Sequence, residues 1–123
     1  MKLRLTMIAL LMPGWLCMPV AHAAPPANVQ IEVSFLLGYV EGSGCEFYRN
    51  GTWNDSRAAQ AHLRTKYEYL AARNQIDTAE QFIDKAATQS SLSGQAYMVR
   101  CGGGASVASR QWLRDELARL RAF

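Results

Sequence analysis

The sequence is short of the residues most catalytic and metal centres need. In 123 residues it has three cysteines, two histidines and four prolines. One of the histidines, His22, and one of the cysteines, Cys17, fall in the first 23 residues. No C-x-x-C occurs, so the spacing that activates a redox thiol is missing. The remaining histidine and two cysteines are too few for a closed zinc site. There is no D-x-D-x-D-G calcium loop, no phosphate-binding glycine frame and no G-x-S-x-G nucleophile turn. No metal and no cofactor is expected. An apolar run of the ~20 residues that spans a bilayer is also absent.

The apolar stretch that does occur, Leu5 to Leu16, follows Lys2 and Arg4 and precedes the small-x-small triplet Ala21-His22-Ala23. That order is the order of a secretory leader. Residues 1–23 are therefore expected to be a signal peptide cleaved after Ala23, which places the protein in the periplasm or outside the cell. Trp15-Leu16 ahead of Cys17 argues against a lipoprotein signal, which wants small residues there. Ala24 to Asn28 is expected to be a flexible mature start, and 29–123 a single disulfide-linked domain. Removing Lys2 and Arg4 leaves 11 basic against 10 acidic residues, a net charge of +1 where the whole chain has +3. So small a charge offers no electrostatic case for nucleic acid, and no transmembrane segment is expected once the leader is gone.

Cys45 and Cys101 remain as an even pair in an oxidising compartment, with one possible intramolecular pairing. A disulfide closing so long a loop removes about 4 kcal/mol of unfolded-state entropy in the chain-entropy model.

The patterning predicts a mainly α (α+β) fold of about four helices, with a short hairpin beside the disulfide. Asn28 to Val40 is ambiguous. Val29, Ile31, Val33 and Phe35 alternate as a strand would, while Val29, Val33, Leu36, Leu37 and Val40 share one helical face. Length and the Leu36-Leu37 doublet favour helix. Asn50-Gly51 between aromatic flanks predicts a two-residue hairpin turn with Arg49 opposite Thr52 and Tyr48 opposite Trp53. A second helix runs from a cap at Asn54, Asp55 or Ser56 to about Arg73, with Lys66 facing water and Asn74 just beyond its end. Thr78 and Gln81 form a capping-box pattern ahead of a third helix. Ala96 to Cys101 reads as a strand that extends the ribbon at Phe47 to Arg49. After Gly102-Gly103-Gly104, a flexible connection, Ser106 or Ser109 caps a last helix. Asp115 and Arg119 have the i,i+4 spacing of a surface pair there.

The strings SGCEFYRNGTW, AAQAHLRTKYEYL, TAEQFIDKAATQSSLSGQAYMVRC and WLRDELARL resemble a family of small exported bacterial proteins, domain of unknown function 5329. The resemblance runs over about residues 29 to 121. It implies a bacterial, periplasmic or secreted protein and supplies no activity. It carries over the motif residues Cys45, Phe47, Arg49, Asn50, Gly51, Trp53, His62, Ser93, Gly94, Tyr97 and Cys101 without catalytic roles.

The candidate binding residues are Arg49, Asn50, Trp53, His62, Ser93 and Gly94. A turn bearing a guanidinium, an amide and an indole suits a carboxylate or a sugar. The preferred function is a non-enzymatic binding or interaction domain for a protein or envelope ligand. The alternatives are a small envelope-directed hydrolase, in which His62 serves Ser91 or Ser93 with Asp84 as orienting carboxylate, and a lysozyme-inhibitor-like protein.

Overall fold

A computed structural model describes residues 8–14 and 24–123. Cys17, the basic start and the expected cleavage triplet lie outside the described residues. Residues 8–14 carry neither helix nor strand. No described helix is long and apolar enough to cross a membrane.

The first helix, α1 (Ala27–Gly42), starts behind Pro26, so Ala27 and Asn28, expected in a flexible lead, are helical. Its buried residues are Val29, Val33, Leu36, Leu37 and Val40, the face expected from the helical reading. Ile31 and Phe35, which made the segment look like a strand, point outward and are exposed. α1 lies against all three other helices.

The hairpin follows. β1 (Glu46–Arg49) and β2 (Thr52–Asn54) pair with Tyr48 opposite Trp53 and Arg49 opposite Thr52. The turn residues Asn50 and Gly51 have φ of 49° and 83°, the left-handed region that a primed turn requires and that Asn and Gly tolerate best. β3 (Met98–Arg100) pairs antiparallel with β1, as expected for the strand that delivers the second cysteine. Cys45 and Cys101 form the disulfide, with α carbons 4.4 Å apart.

Beyond β3 the chain departs from expectation. The glycine stretch makes a tight turn, with Gly104 N–H donating to the Cys101 carbonyl at 3.0 Å. It leads into a fourth strand, β4 (Val107–Ala108), which completes a sheet of order β2-β1-β3-β4. The last helix therefore has Ala108, not Ser106 or Ser109, at its N-cap, and no side chain caps it. The N–H of buried Ser109 is already used by the Tyr97 carbonyl at 2.9 Å, a continuation of the strand pairing.

The remaining helices close the core. α2 (Ser56–Ala71) is capped by Asp55, whose carboxylate accepts from Ala58 N–H at 2.8 Å. α3 (Ala79–Ala86) is capped by Thr78, which accepts from Gln81 N–H. The Gln81 side chain returns to the N–H of Asp77 rather than to Thr78, so the box closes one residue early. α4 (Ser109–Arg121) buries Leu113 and Leu117 and brings Trp112 against Phe47 and Tyr39. Arg119 does not pair with Asp115. It meets Glu116 and donates to the Tyr39 hydroxyl, while Asp115 accepts from Gln111. The three-residue spacing and the Tyr39 ring within reach decide that choice.

Arginines of α4 fasten the helices at the surface. Arg121 bridges Glu32 of α1 and Glu80 of α3, and Arg110 and Arg114 both hold Asp84. Hydrogen bonds from these guanidiniums hold the three carboxyl groups below the ordinary carboxylate range. A carboxyl group whose pKa is depressed on folding adds stability above its unfolded pKa, about 4. That stability is lost as pH falls through the lower folded value. Exposed pairs contribute at most about 1 kcal/mol each. The thermal midpoint is thus expected to be level from pH 7 to about 5 and to fall below about 4.5. In Arg121→Ala the fall should be shallower, which calorimetry across a pH series checks. An equally steep acid limb in the variant would remove Arg121 from the account.

Candidate functional site

Strand alternation sorts the expected binding residues onto two faces of the sheet. Phe47 and its partner Val99 are buried beneath the helices, and Arg49, two residues on, shares that side. Tyr48, Trp53 and Met98 share the other. Trp53 meets Tyr48 edge-on at 5.4 Å and lies under the Arg100 guanidinium at 3.8 Å. Arg100 in turn donates two hydrogen bonds to Glu46. The indole expected to join Arg49 in one recognition surface therefore belongs to a separate ladder on the outer face.

Asn50 and Ser93 do come together, 43 residues apart in sequence, with the Ser93 hydroxyl donating to the Asn50 side-chain oxygen at 2.6 Å. Ser90 organises this loop from beneath, its buried hydroxyl accepting from the N–H groups of Leu92 and Ser93. Gly94 turns the loop with φ of 72°. The pair ties the 89–96 loop to the hairpin turn.

Arg49 reaches α2. Its Nη1 lies 3.3 Å from Nδ1 and 3.5 Å from Nε2 of His62. His62 Nε2 is 3.1 Å from the hydroxyl of Tyr97, which is 6% exposed. Lys66, one helical turn beyond His62, donates to the same hydroxyl and to the Gln89 carbonyl, both at 3.1 Å. Its ammonium also sits 4.9 Å from the centre of the Tyr97 ring. Lys66 was expected to face water. The signal that would have placed it is the i,i+4 spacing from His62, which sets both on one helix face.

Donor accounting fixes the roles. A guanidinium and an ammonium only donate. With His62 neutral, Nδ1 accepts from Arg49 and the Nε2–H tautomer donates to Tyr97. The Tyr97 oxygen then accepts twice, from His62 and from Lys66. Burial first, then the charges of Arg49 and Lys66, holds His62 below its ordinary pKa. Burial and Arg49 lower Lys66 as well. Burial raises the Tyr97 phenol, and Arg49 opposes that rise.

Among the described residues no carboxylate partners Arg49, His62 or Lys66. The carboxylates of Glu32, Glu46, Glu80, Asp84 and Glu116 are taken by other arginines. Arg49, His62 and Tyr97 border a cavity of about 50 Å³ whose apolar lining includes Phe47, Ala59 and Leu63. Of the groups expected to serve His62 in a hydrolase, Asp84 is held by Arg110 and Arg114 and Ser93 by Asn50. Among the described residues the side-chain hydrogen-bond partners of His62 are Arg49 and Tyr97. Among the described residues no three His, Cys, Asp or Glu side chains converge as metal ligands.

No solved structure matches. A curated relative from Salmonella typhimurium (strain LT2), "Uncharacterized protein YfeK", is 51% identical over 51 residues, 42% of this chain and 41% of the relative. The chain thus matches about two fifths of that relative's length. A family described as a "Family of unknown function (DUF5329)" matches residues 27–121, from the first turn of α1 to the last residue of α4. The helices, the four-stranded sheet and the Arg49–His62–Tyr97–Lys66 cluster all fall inside that match, and the chain belongs to the DUF5329 family.

Proposed function

We propose that this protein is an exported, non-enzymatic binding domain, and that the cavity beside Arg49, His62 and Tyr97 holds an anion. Export is argued from the leader-like order of charge, apolar run and small-x-small triplet in residues 1–23. The observation that carries the binding reading is a surplus of positive charge. Arg49 and Lys66 gather about His62 and the Tyr97 hydroxyl on one half-buried spot, and among the described residues no acidic side chain answers them there. Their acceptors, His62 Nδ1, the Tyr97 oxygen and the Gln89 carbonyl, are neutral, and a charge-assisted hydrogen bond to an anionic ligand would supply the missing counter-charge.

Binding is coupled to His62. An anion beside the ring favours the imidazolium, so it raises a pKa that burial, Arg49 and Lys66 hold down. Between the free and the bound pKa, affinity should tighten up to about tenfold for each unit that pH falls. The test follows the His62 ring protons by NMR across a pH series in sodium chloride and in sodium acetate of equal ionic strength. The expected result is an upward shift of the His62 titration in acetate. Arg49→Gln should weaken acetate binding about ten- to a hundredfold, the loss of one charged hydrogen bond, with the thermal midpoint nearly unchanged. A His62 titration indifferent to acetate would refute the anion site.

A further inference from the structure

We infer that His62 is an acid-sensitive catch: a proton on its ring frees Arg49, and with it the tip of the hairpin, from α2, while Tyr97 and Lys66 keep the 89–96 loop in place. The inference rests on the side chains of the cluster alone, so its failure would leave the anion reading standing.

The tip depends on few contacts. The pairing of β1 with β3 ends at Tyr48 opposite Met98, whereas β1 and β2 pair one step farther, Arg49 opposite Thr52. Arg49, Asn50, Gly51 and Thr52 therefore overhang the sheet as a two-stranded ribbon, which has little stability of its own. Among the described residues two side-chain hydrogen bonds reach this tip from outside the hairpin, Arg49 to His62 and Ser93 to Asn50.

His62 can accept only while it is neutral. Arg49 Nη1 lies within 3.5 Å of both ring nitrogens, and a guanidinium only donates. An imidazolium carries a hydrogen on each nitrogen and accepts at neither. Once His62 is charged, donor faces donor and cation faces cation across the same gap. Its Nε2–H still donates to Tyr97, and Lys66 still reaches that hydroxyl and the Gln89 carbonyl. Protonation thus cuts the tie to the tip and spares the tie to the loop.

The surroundings do not offset the added charge. The charged and titratable groups about the ring are Arg49 from β1, Lys66 from α2 itself and the Tyr97 phenol just ahead of β3. Tyr48 of β1, Asn54 of β2 and Ser109 of α4, which also border the cavity, are neutral. Among the described residues no carboxylate pairs with Arg49 or Lys66. Burial, then Arg49, then Lys66 holds the ring below its ordinary pKa. The share that Arg49 supplies works in both directions. The contact is full above the pKa the ring has without Arg49. It weakens, by up to tenfold per unit, as pH falls from there to the value with Arg49 docked.

NMR on the whole protein tests this in dilute sodium chloride, without carboxylate buffers, from about pH 7.5 down until His62 has charged. The His62 ring protons give its midpoint, and relaxation of the Asn50, Gly51 and Thr52 amides gives the order of the tip. The tip amides should shift with the same midpoint as His62. Their order parameters should fall from about 0.85 to below about 0.6, while the Ile83 amide in α3 stays rigid. His62→Gln keeps an acceptor and a donor and never charges, so its tip should stay rigid through the whole series. That variant retains every carboxylate, so it separates the catch from their titration. Arg49→Ala should raise the His62 midpoint and leave the tip mobile at every pH. A wild-type tip as rigid with His62 charged as with it neutral would overturn the catch. So would a His62→Gln tip that loosens at the same pH as the wild type.

Discussion

Replacing Cys45 and Cys101 together with alanine is expected to lower the thermal midpoint by about 10–25 °C, the shift that a loss of about 2–4 kcal/mol produces in a domain of roughly a hundred residues. The two positions are 56 residues apart in sequence and 4.4 Å apart at their α carbons. The loop they close contains the hairpin, α2 and α3. Glu46 and Arg100, the neighbours of the two cysteines, are already partners across the β1–β3 ladder. The folded strands hold the two positions together without the bridge, so its removal acts mainly on the unfolded chain, which regains the freedom of a long loop. Calorimetry with and without reductant checks this. Reductant should bring the wild-type midpoint down to that of the double variant and leave the variant unmoved. A double variant within about 3 °C of wild type would show that the unfolded chain stays compact enough to make the loop constraint unimportant.

The second large effect is expected at Phe82. Its side chain is 0% exposed, at the centre of α3, with its ring edge-on to Tyr67 of α2 at 5.7 Å. α3 lies against α1, α2 and α4, and Leu36, Ile76, Ile83 and Leu113 are also fully buried. Close packing leaves little room for neighbours to collapse into the space a truncation creates. Phe82→Ala should therefore cost about 3–5 kcal/mol, a large part of the 5–15 kcal/mol that holds a typical domain folded. Urea unfolding followed by circular dichroism measures it. Phe82→Leu, which keeps most of the volume but loses the aromatic contact with Tyr67, should recover more than half of the loss. A Phe82→Ala protein with an unchanged urea midpoint would place the core elsewhere.

These two expectations draw on features of different legibility. The disulfide followed from counting cysteines, and the α1 face and hairpin register followed from residue spacing. Asn50-Gly51 dictates positive φ at two consecutive positions, and that alone sets Tyr48 opposite Trp53. By contrast β4 is two residues long, between a glycine turn and a helix, and carries no alternation to read. It exists because β3 presents an unpaired edge beside it. Arg119 was assigned to Asp115 by spacing, yet Tyr39, eighty residues away, and Glu116 settle its position.

The cluster at the cavity divides in the same manner. Arg49 and His62 were singled out by residue type, and Lys66 is tied to His62 by helical spacing. Trp53 groups with Arg49 in the sequence because both flank the Asn50-Gly51 turn, but the hairpin's alternation turns the indole to the opposite face. Tyr97, the hydroxyl on which His62 and Lys66 meet, comes from 31 to 35 residues farther along the chain.

What the sequence by itself determined is therefore local: the α1 face, the caps of α2 and α3, and the hairpin turn. Those rest on interactions among residues a few positions apart, whose geometry the backbone period dictates. What only the tertiary structure decided is which side chains meet across elements: the carboxylates that the α4 arginines take, the strand that β3 recruits, and the meeting of His62 and Lys66 on a phenol. Those depend on the packing of α1 to α4 against the sheet, and packing is a property of all the buried volumes at once.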